Sequence, residues 1–265
     1  WIDVEGVRTH LVRSGSLEKP TLVLLHGFLM SSWAWRRNID ALSEHFDVIA
    51  PCLRGFGWSE RDRGRHDLPG LGHFVTQLLD QLHVEEAGVI GNSLGGSLAI
   101  WLARRDPSRV TRLGLVNALA VGALAPPVPS LITMPFMAPI YRVAVQPTVA
   151  RLGLQVLAYK DIRVGADYLA GFREQVRPRR TIRTMLEVAR HLREDVEWVD
   201  TQLERLSQPV LIAWGERDRI LGKRPGPVLQ ARIPNARLIT FPRCGHCPHE
   251  EAPERFNHAV MTFFA

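Results

Sequence analysis

The sequence predicts an α/β fold: a doubly wound, mostly parallel sheet with an inserted, mainly helical lid. Three observations predict it. Short continuous apolar runs alternate with helical patterns over residues 1–119, the same rhythm returns over residues 207–265, and the stretch between them breaks it. Strands that are apolar throughout are buried on both faces, which is the signature of a parallel sheet covered by helices.

In chain order, Thr21–Leu25 reads as a buried strand, Ser32–Glu44 as a helix, and Asp47–Ala50 as a strand stopped by Pro51. Leu71, Phe74, Val75, Leu78, Leu79 and Leu82 fall at helical spacing. Ala87–Ile90 is a strand, Leu94–Arg105 a helix and Leu113–Val116 a strand. From Ala120 the alternation stops, and Pro and Gly become dense up to about Val149. Two helical stretches follow; in the second, Ile182, Met185, Leu186, Ala189 and Leu192 share one face. The rhythm resumes with the strand Pro209–Trp214, a helix near Val228–Arg232, a strand at Arg237–Phe241 and a closing helix, Pro253–Phe264. The chain therefore reads as one core, residues 1–119 and 207–265, interrupted by a cap or lid over residues 120–206. Ligands in open α/β sheets bind outside the carboxyl ends of the strands, where this insertion begins.

Composition sets the outer limits. At 265 residues, 46% hydrophobic and 23% charged, the chain is an ordinary globular protein, not a disordered, collagen-like or disulfide-stapled one. The net charge is +6, but the basic residues are scattered among acidic ones and interleave with no aromatic stripe. Such charge bears on solubility, and no nucleic-acid partner is expected. No run of 18 apolar residues exists, so no membrane span is expected. Cys52, Cys244 and Cys247 cannot all pair, which fits a reducing, cytoplasmic compartment. The expected partner is a small-molecule substrate, and the expected state a monomer or homodimer.

The segment Gly91-Asn92-Ser93-Leu94-Gly95-Gly96 carries the most chemistry. It follows an apolar strand and opens a helix. A serine on that tight turn is strained, with its oxygen exposed above the sheet edge, and the helix N-terminus favours negative charge beside it. A serine hydroxyl needs a base, and the base an orienting group. Of ten histidines, His246 stands in a loop directly after a strand, at the same sheet edge as Ser93. His249 is its nearest rival. His10, His45, His66, His73, His83, His191 and His258 read as surface groups or satisfied polar contacts. Asp218 follows another strand end and is the best candidate acid; Asp161 and Asp200 lie in the insertion. Cys244, His246, Cys247 and His249 also form a compact Cys/His cluster. It lacks a second ligand pair at zinc-finger spacing, and His246 has a better role, so neither metal nor cofactor is expected.

With these residues in hand, the chain resembles the lid-bearing α/β-hydrolase superfamily over nearly all of its length except the insertion. His26-Gly27-Phe28 resembles that family's oxyanion turn, Arg54-Gly55-Phe56-Gly57-Trp58-Ser59 its following loop, and the Ser93 elbow with the Asp218 and His246 loops its catalytic order. The resemblance implies that Ser93 attacks an acyl carbonyl, His246 relays the proton, Asp218 fixes the His246 tautomer, and the N–H groups of Phe28 and Leu94 hold the oxyanion. It also implies a structural role for His26. Two positions depart from the pattern: Cys52 stands near where relatives often carry Asp, and Cys247 stands where a bulky aromatic often follows the catalytic histidine.

Within this resemblance, Ser93 argues against epoxide hydrolases and haloalkane dehalogenases, which use Asp at the elbow. The expected activity is hydrolysis of a small or medium apolar ester, thioester or lactone through an acyl-enzyme. Alternatives are a carbon–carbon bond hydrolase of a ring-cleavage product, an acyl-transferring or peroxide-using variant, or a non-hydrolytic receptor or cyclase retaining the triad. The expected pocket comprises Leu29, Met134, Phe136, Met137, Tyr141, Phe172, Ile220 and Cys247.

Overall fold

The structure, a computed structural model, describes residues 1–121, 146–160 and 178–265. Nine strands are described: β1 (Ile2–Val4), β2 (Val7–Thr9), β3 (Leu11–Ser14), β4 (Thr21–Leu25), β5 (Asp47–Pro51), β6 (Ala87–Asn92), β7 (Val110–Val116), β8 (Val210–Gly215) and β9 (Ala236–Phe241). The α-helices are α1 (Ile39–Ser43), α2 (Leu68–Gln81), α3 (Leu94–Arg105), α4 (Pro147–Gly153), α5 (Pro178–Asp200), α6 (Pro225–Arg232), α7 (Pro248–Glu251) and α8 (Pro253–Phe264). β3 to β9 form one sheet in the order β3-β5-β4-β6-β7-β8-β9, with β3 antiparallel to β5 and the other pairs parallel.

Side chains on a strand alternate between faces, and both faces here are apolar. Val23, Leu25, Ile49, Val89, Leu113, Leu115 and Ile212 enter one core with residues of α2, α3, α5 and α6. Leu22, Leu24, Val48, Ala50, Ile90, Val116 and Leu211 enter a second with residues of α1 and α8. The sheet is thus doubly wound, as the uninterrupted apolar runs require.

Two elements differ from the sequence reading. The expected helix over residues 32–44 divides into a 3₁₀ turn, Ser32–Trp35, and α1. Between them, buried Asn38 spends its amide on His249 O at 2.9 Å and Asn257 Oδ1 at 2.8 Å, fastening the break to the C-terminal helices. The strands β1–β3 were not read from sequence at all. For β1 and β2 the signal is the Glu5-Gly6 turn, where both residues have positive φ, 51° and 78°, as a two-residue hairpin demands.

The insertion is described in part. From its middle onward α5 packs in the core through Val188 and Val199, while Ile182 and Met185 nearer its start meet Phe28 and Leu29. Asp195 Oδ2 accepts the N–H of Leu68 at 3.0 Å, tying α5 to the start of α2. Of the expected pocket residues, Met134, Phe136, Met137, Tyr141 and Phe172 lie outside the described residues, as does Asp161.

Candidate active site

The sheet runs outward from β4 to β5 on one side and from β4 to β6 on the other. The loops leaving β4 and β6 therefore part at their carboxyl ends, opening a crevice between them. His26-Gly27-Phe28 leaves β4 there and Ser93 leaves β6.

Ser93 has φ 54° and ψ −117°, a left-handed conformation costly for any side chain. It is enforced by close backbone approach. A Cβ on Gly91 would stand 2.0 Å from Gly95 O, one on Gly95 2.3 Å from Leu25 O, and one on Gly96 2.4 Å from Ala118 Cβ. Glycines therefore let β6, α3 and the β4 loop converge under a single strained, partly exposed serine.

His246 follows β9 and Asp218 follows β8. His246 Nδ1 lies 2.8 Å from Asp218 Oδ2, and both side chains are buried. The other Asp218 oxygen, Oδ1, accepts the N–H groups of Ile220 at 2.7 Å and Leu221 at 3.0 Å. Burial alone would raise the Asp218 pKa, but His246, these amides and Asn117 outweigh it and hold the carboxyl below its ordinary value. Asp218 is thus a carboxylate, an acceptor that favours the Nδ1–H tautomer and leaves Nε2 without that proton.

Two residues complete the frame without having been assigned roles from sequence. Asn117, at the end of β7 with φ 40°, donates to Asp218 Oδ2 at 2.6 Å and accepts the N–H of Gly215 at 2.9 Å. Asn92 donates to Val116 O at 3.0 Å and to His246 O at 3.1 Å, binding the histidine loop to the residue before Ser93. A polar residue directly after a buried strand was their only sequence signal.

The N–H of Leu94 opens α3, where no preceding helical carbonyl is available to it. Neither that amide nor the one of Phe28 has a hydrogen-bond partner among the described residues. His26 is a structural residue: burial lowers its pKa to about 4, and the neutral ring accepts the N–H of Leu53 at 2.9 Å while Nδ1 meets Gly27 O at 2.8 Å.

Apolar side chains flank this crevice on two sides. Phe28 and Leu29 meet Ile182, Met185 and Leu186, while Cys247 and Ile220 group with Met30, Leu154 and Ala158. Cys52 is a buried thiol near Ser32 and His10, its pKa raised by burial. A buried thiol thus stands near where relatives often carry Asp.

Three histidines bear on the sequence reading. His10 is half-buried beside Trp1 and Trp58. His66 is neither a surface group nor a satisfied contact, and His249, the rival to His246, is buried as well; the ring nitrogens of both have no hydrogen-bond partner among the described residues. His249 instead stacks on Trp35 with ring centroids 4.4 Å apart. Cys247, His249 and Glu250 bring one ligand-type atom each within 4.8 Å of one another. The set suits a cation poorly, because Glu250 is already engaged by Arg36 and by the Tyr159 hydroxyl, and burial holds the Cys247 thiol protonated. No described helix is long and apolar enough to cross a membrane.

A model of the alpha/beta hydrolase family matches residues 22–259. The chain is 33% identical over 272 residues to the 2-hydroxymuconate semialdehyde hydrolase of Pseudomonas putida, covering 98% of this chain and 92% of that one. It is 32% identical over 247 residues to the pimeloyl-acyl-carrier-protein methyl ester esterase of Nitrosomonas europaea, covering 89% and 92%. Among solved structures it is similar to a mutant of the meta-cleavage product hydrolase CumD from Pseudomonas fluorescens, with TM-score 0.82 and 26% identity over 99% of this chain and 96% of that one.

Proposed function

The chain belongs to the alpha/beta hydrolase family and is a hydrolase; from that premise we propose that it is a serine hydrolase acting through an acyl-enzyme on a small or medium apolar ester, thioester or lactone. The observation that carries the reading is the strained Ser93 on the crevice, next to Asn92, which is hydrogen-bonded to the loop of an Asp218–His246 pair. In this reading the Ser93 hydroxyl oxygen attacks the acyl carbon while His246 Nε2 takes its proton. The carbonyl oxygen becomes an oxyanion held by the Phe28 and Leu94 amides, each such donor being worth about 10²–10³ in rate. Collapse breaks the bond to the leaving group, which takes the proton from His246. Water then repeats the sequence on the acyl-enzyme, returning the proton to Ser93.

The apolar flanks, Phe28, Leu29, Ile182 and Met185 on one side and Ile220 and Cys247 on the other, support an apolar acyl group. We assign residues 120–206 to the cap over this crevice, since the start of α5 meets the turn that carries Phe28.

A fluorophosphonate probe followed by a chain-length series of p-nitrophenyl esters tests the reading. Labelling at Ser93 is expected, with Ser93→Ala abolishing it and lowering ester turnover by about 10⁴-fold or more. A wild type that escapes labelling, or a Ser93→Ala that keeps its rate, rejects the serine-hydrolase reading. The second reading, carbon–carbon hydrolysis, is favoured by the similarity to the P. putida hydrolase. Turnover of a 2-hydroxy-6-oxodienoate well above ester turnover would select it.

A further inference from the structure

The loop that carries His246 is held by the inserted segment as well as by the core. Three consecutive residues of that segment, Ala158, Tyr159 and Lys160, each contact it. His246 N–H donates to Ala158 O at 2.7 Å. The Tyr159 hydroxyl donates to Glu250 Oε1 at 2.5 Å, while Arg36 pairs with the other Glu250 oxygen. Glu251 spans the junction: Oε1 accepts the N–H of Gly245 at 2.7 Å, and Oε2 accepts the N–H of Lys160 at 2.5 Å. The approach is close enough that a Cβ on Gly245 would lie 2.2 Å from Ala158 O. Ala158 and Tyr159 are buried although their neighbours Val156 and Leu157 are exposed, so the segment turns inward where it meets the histidine loop.

We infer that Glu251 is a positioning residue that makes the placement of the base depend on the inserted segment. The inference rests on His246 being that base. A buried carboxylate bridging two backbone amides is a strong, charge-assisted link. One of those amides belongs to the residue preceding His246 and the other to the insertion. With the bridge intact, His246 is fixed at its N–H by Ala158, at its carbonyl by Asn92 and at its ring by Asp218. With the bridge cut, the loop keeps its core contacts and loses its register against the cap. A displacement of the base by about 1 Å costs on the order of 10²-fold in rate.

Two variants cut the bridge from opposite sides. Glu251→Gln keeps the shape but turns an amide N–H₂ toward one of the two N–H donors. Lys160→Pro removes the N–H on the insertion side, with Lys160→Ala, which keeps it, as reference for the lost side chain; Tyr159, at φ −104° and ψ 141°, already has the conformation a following proline requires. With p-nitrophenyl butyrate, kcat is expected to fall about 10–100-fold in Glu251→Gln, and in Lys160→Pro relative to Lys160→Ala. KM should change less than about threefold, and fluorophosphonate labelling of Ser93 should slow by the same factor as kcat. The double variant should fall no further than the worse single one, because both cut the same link. Unchanged kcat per labelled site with a lowered Tm would overturn the inference, leaving Glu251 a merely structural residue; so would multiplicative losses in the double variant. Absence of labelling in wild type would instead reject the serine-hydrolase reading itself.

Discussion

Asn117 donates its side-chain amide to Asp218 Oδ2 at 2.6 Å, the same oxygen that His246 Nδ1 approaches at 2.8 Å. Asp218 is therefore clamped from behind at the atom it presents to His246. Asn117→Ala removes that clamp and strips the buried Gly215 N–H of its acceptor. Stability should fall by about 1–3 kcal/mol, and kcat should fall about tenfold or more with little change in KM. Urea unfolding and steady-state ester kinetics check the two parts separately. A variant with full kcat would show that Ile220 and Leu221 hold Asp218 without help.

Burial above all, and then the electrostatic influence of His246 and Arg36, lowers the His249 pKa to about 3 from an ordinary 6.5. The folded chain thus resists the proton that the unfolded chain accepts. Stability from this site is complete above about pH 6.5 and drains as pH falls toward 3, by about 1.4 kcal/mol per unit. His249→Leu removes both the titration and two unpaired ring nitrogens. Its Tm should exceed that of wild type at pH 5 by more than at pH 8, as thermal denaturation at the two values will show.

Asp195 titrates in the opposite sense. Burial and the nearby Asp67 charge push its pKa up to about 6, against the pull of the Leu68 amide and His191. The folded form takes up this proton first, so stability rises as pH falls from 7 toward 4 and is lost as pH climbs through 6. Asp195→Asn mimics the neutral acid and keeps an acceptor for Leu68. It should raise Tm at pH 7.5 and flatten the profile between pH 7 and 5. A lowered Tm at pH 7.5 would mean that the charged form anchors α5.

Gly95→Ala would force a Cβ to 2.3 Å from Leu25 O and 2.7 Å from His26 O, pushing the oxyanion turn away from the elbow. The expected loss in kcat/KM is about 10²-fold or more, read by ester turnover and Ser93 labelling. Gly153→Ala is the contrast. Gly153 is helical at φ −58° with nothing within 4 Å of the added carbon, so stability should rise by about 0.5–1 kcal/mol with no change in rate.

Much of the frame was legible before any coordinates. α3 and α8 start and end where apolar periodicity and flanking residues place them, because local spacing alone distinguishes a helix from a buried strand. Ser93, Asp218 and His246 stand out in the sequence because each follows a strand in chain order. The break at Asn38 was not legible, because its cause is a pair of hydrogen bonds to residues more than 200 positions away. Asn117 stayed hidden for the same reason: nothing local distinguishes a strand-end Asn that supports Asp218 from one that merely turns the chain.

By itself, the sequence determined the doubly wound sheet and the chain order in which Ser93, Asp218 and His246 follow its strand ends. These follow from side-chain periodicity and from turns only glycine can build, which are properties of neighbours along the chain. Only the tertiary structure decided that Asn117 backs Asp218, that Glu251 joins the His246 loop to the insertion, and that His249 is sealed in beside Trp35. Those are encounters between distant segments, fixed by burial and hydrogen-bond geometry once the sheet has brought its strand ends to one edge.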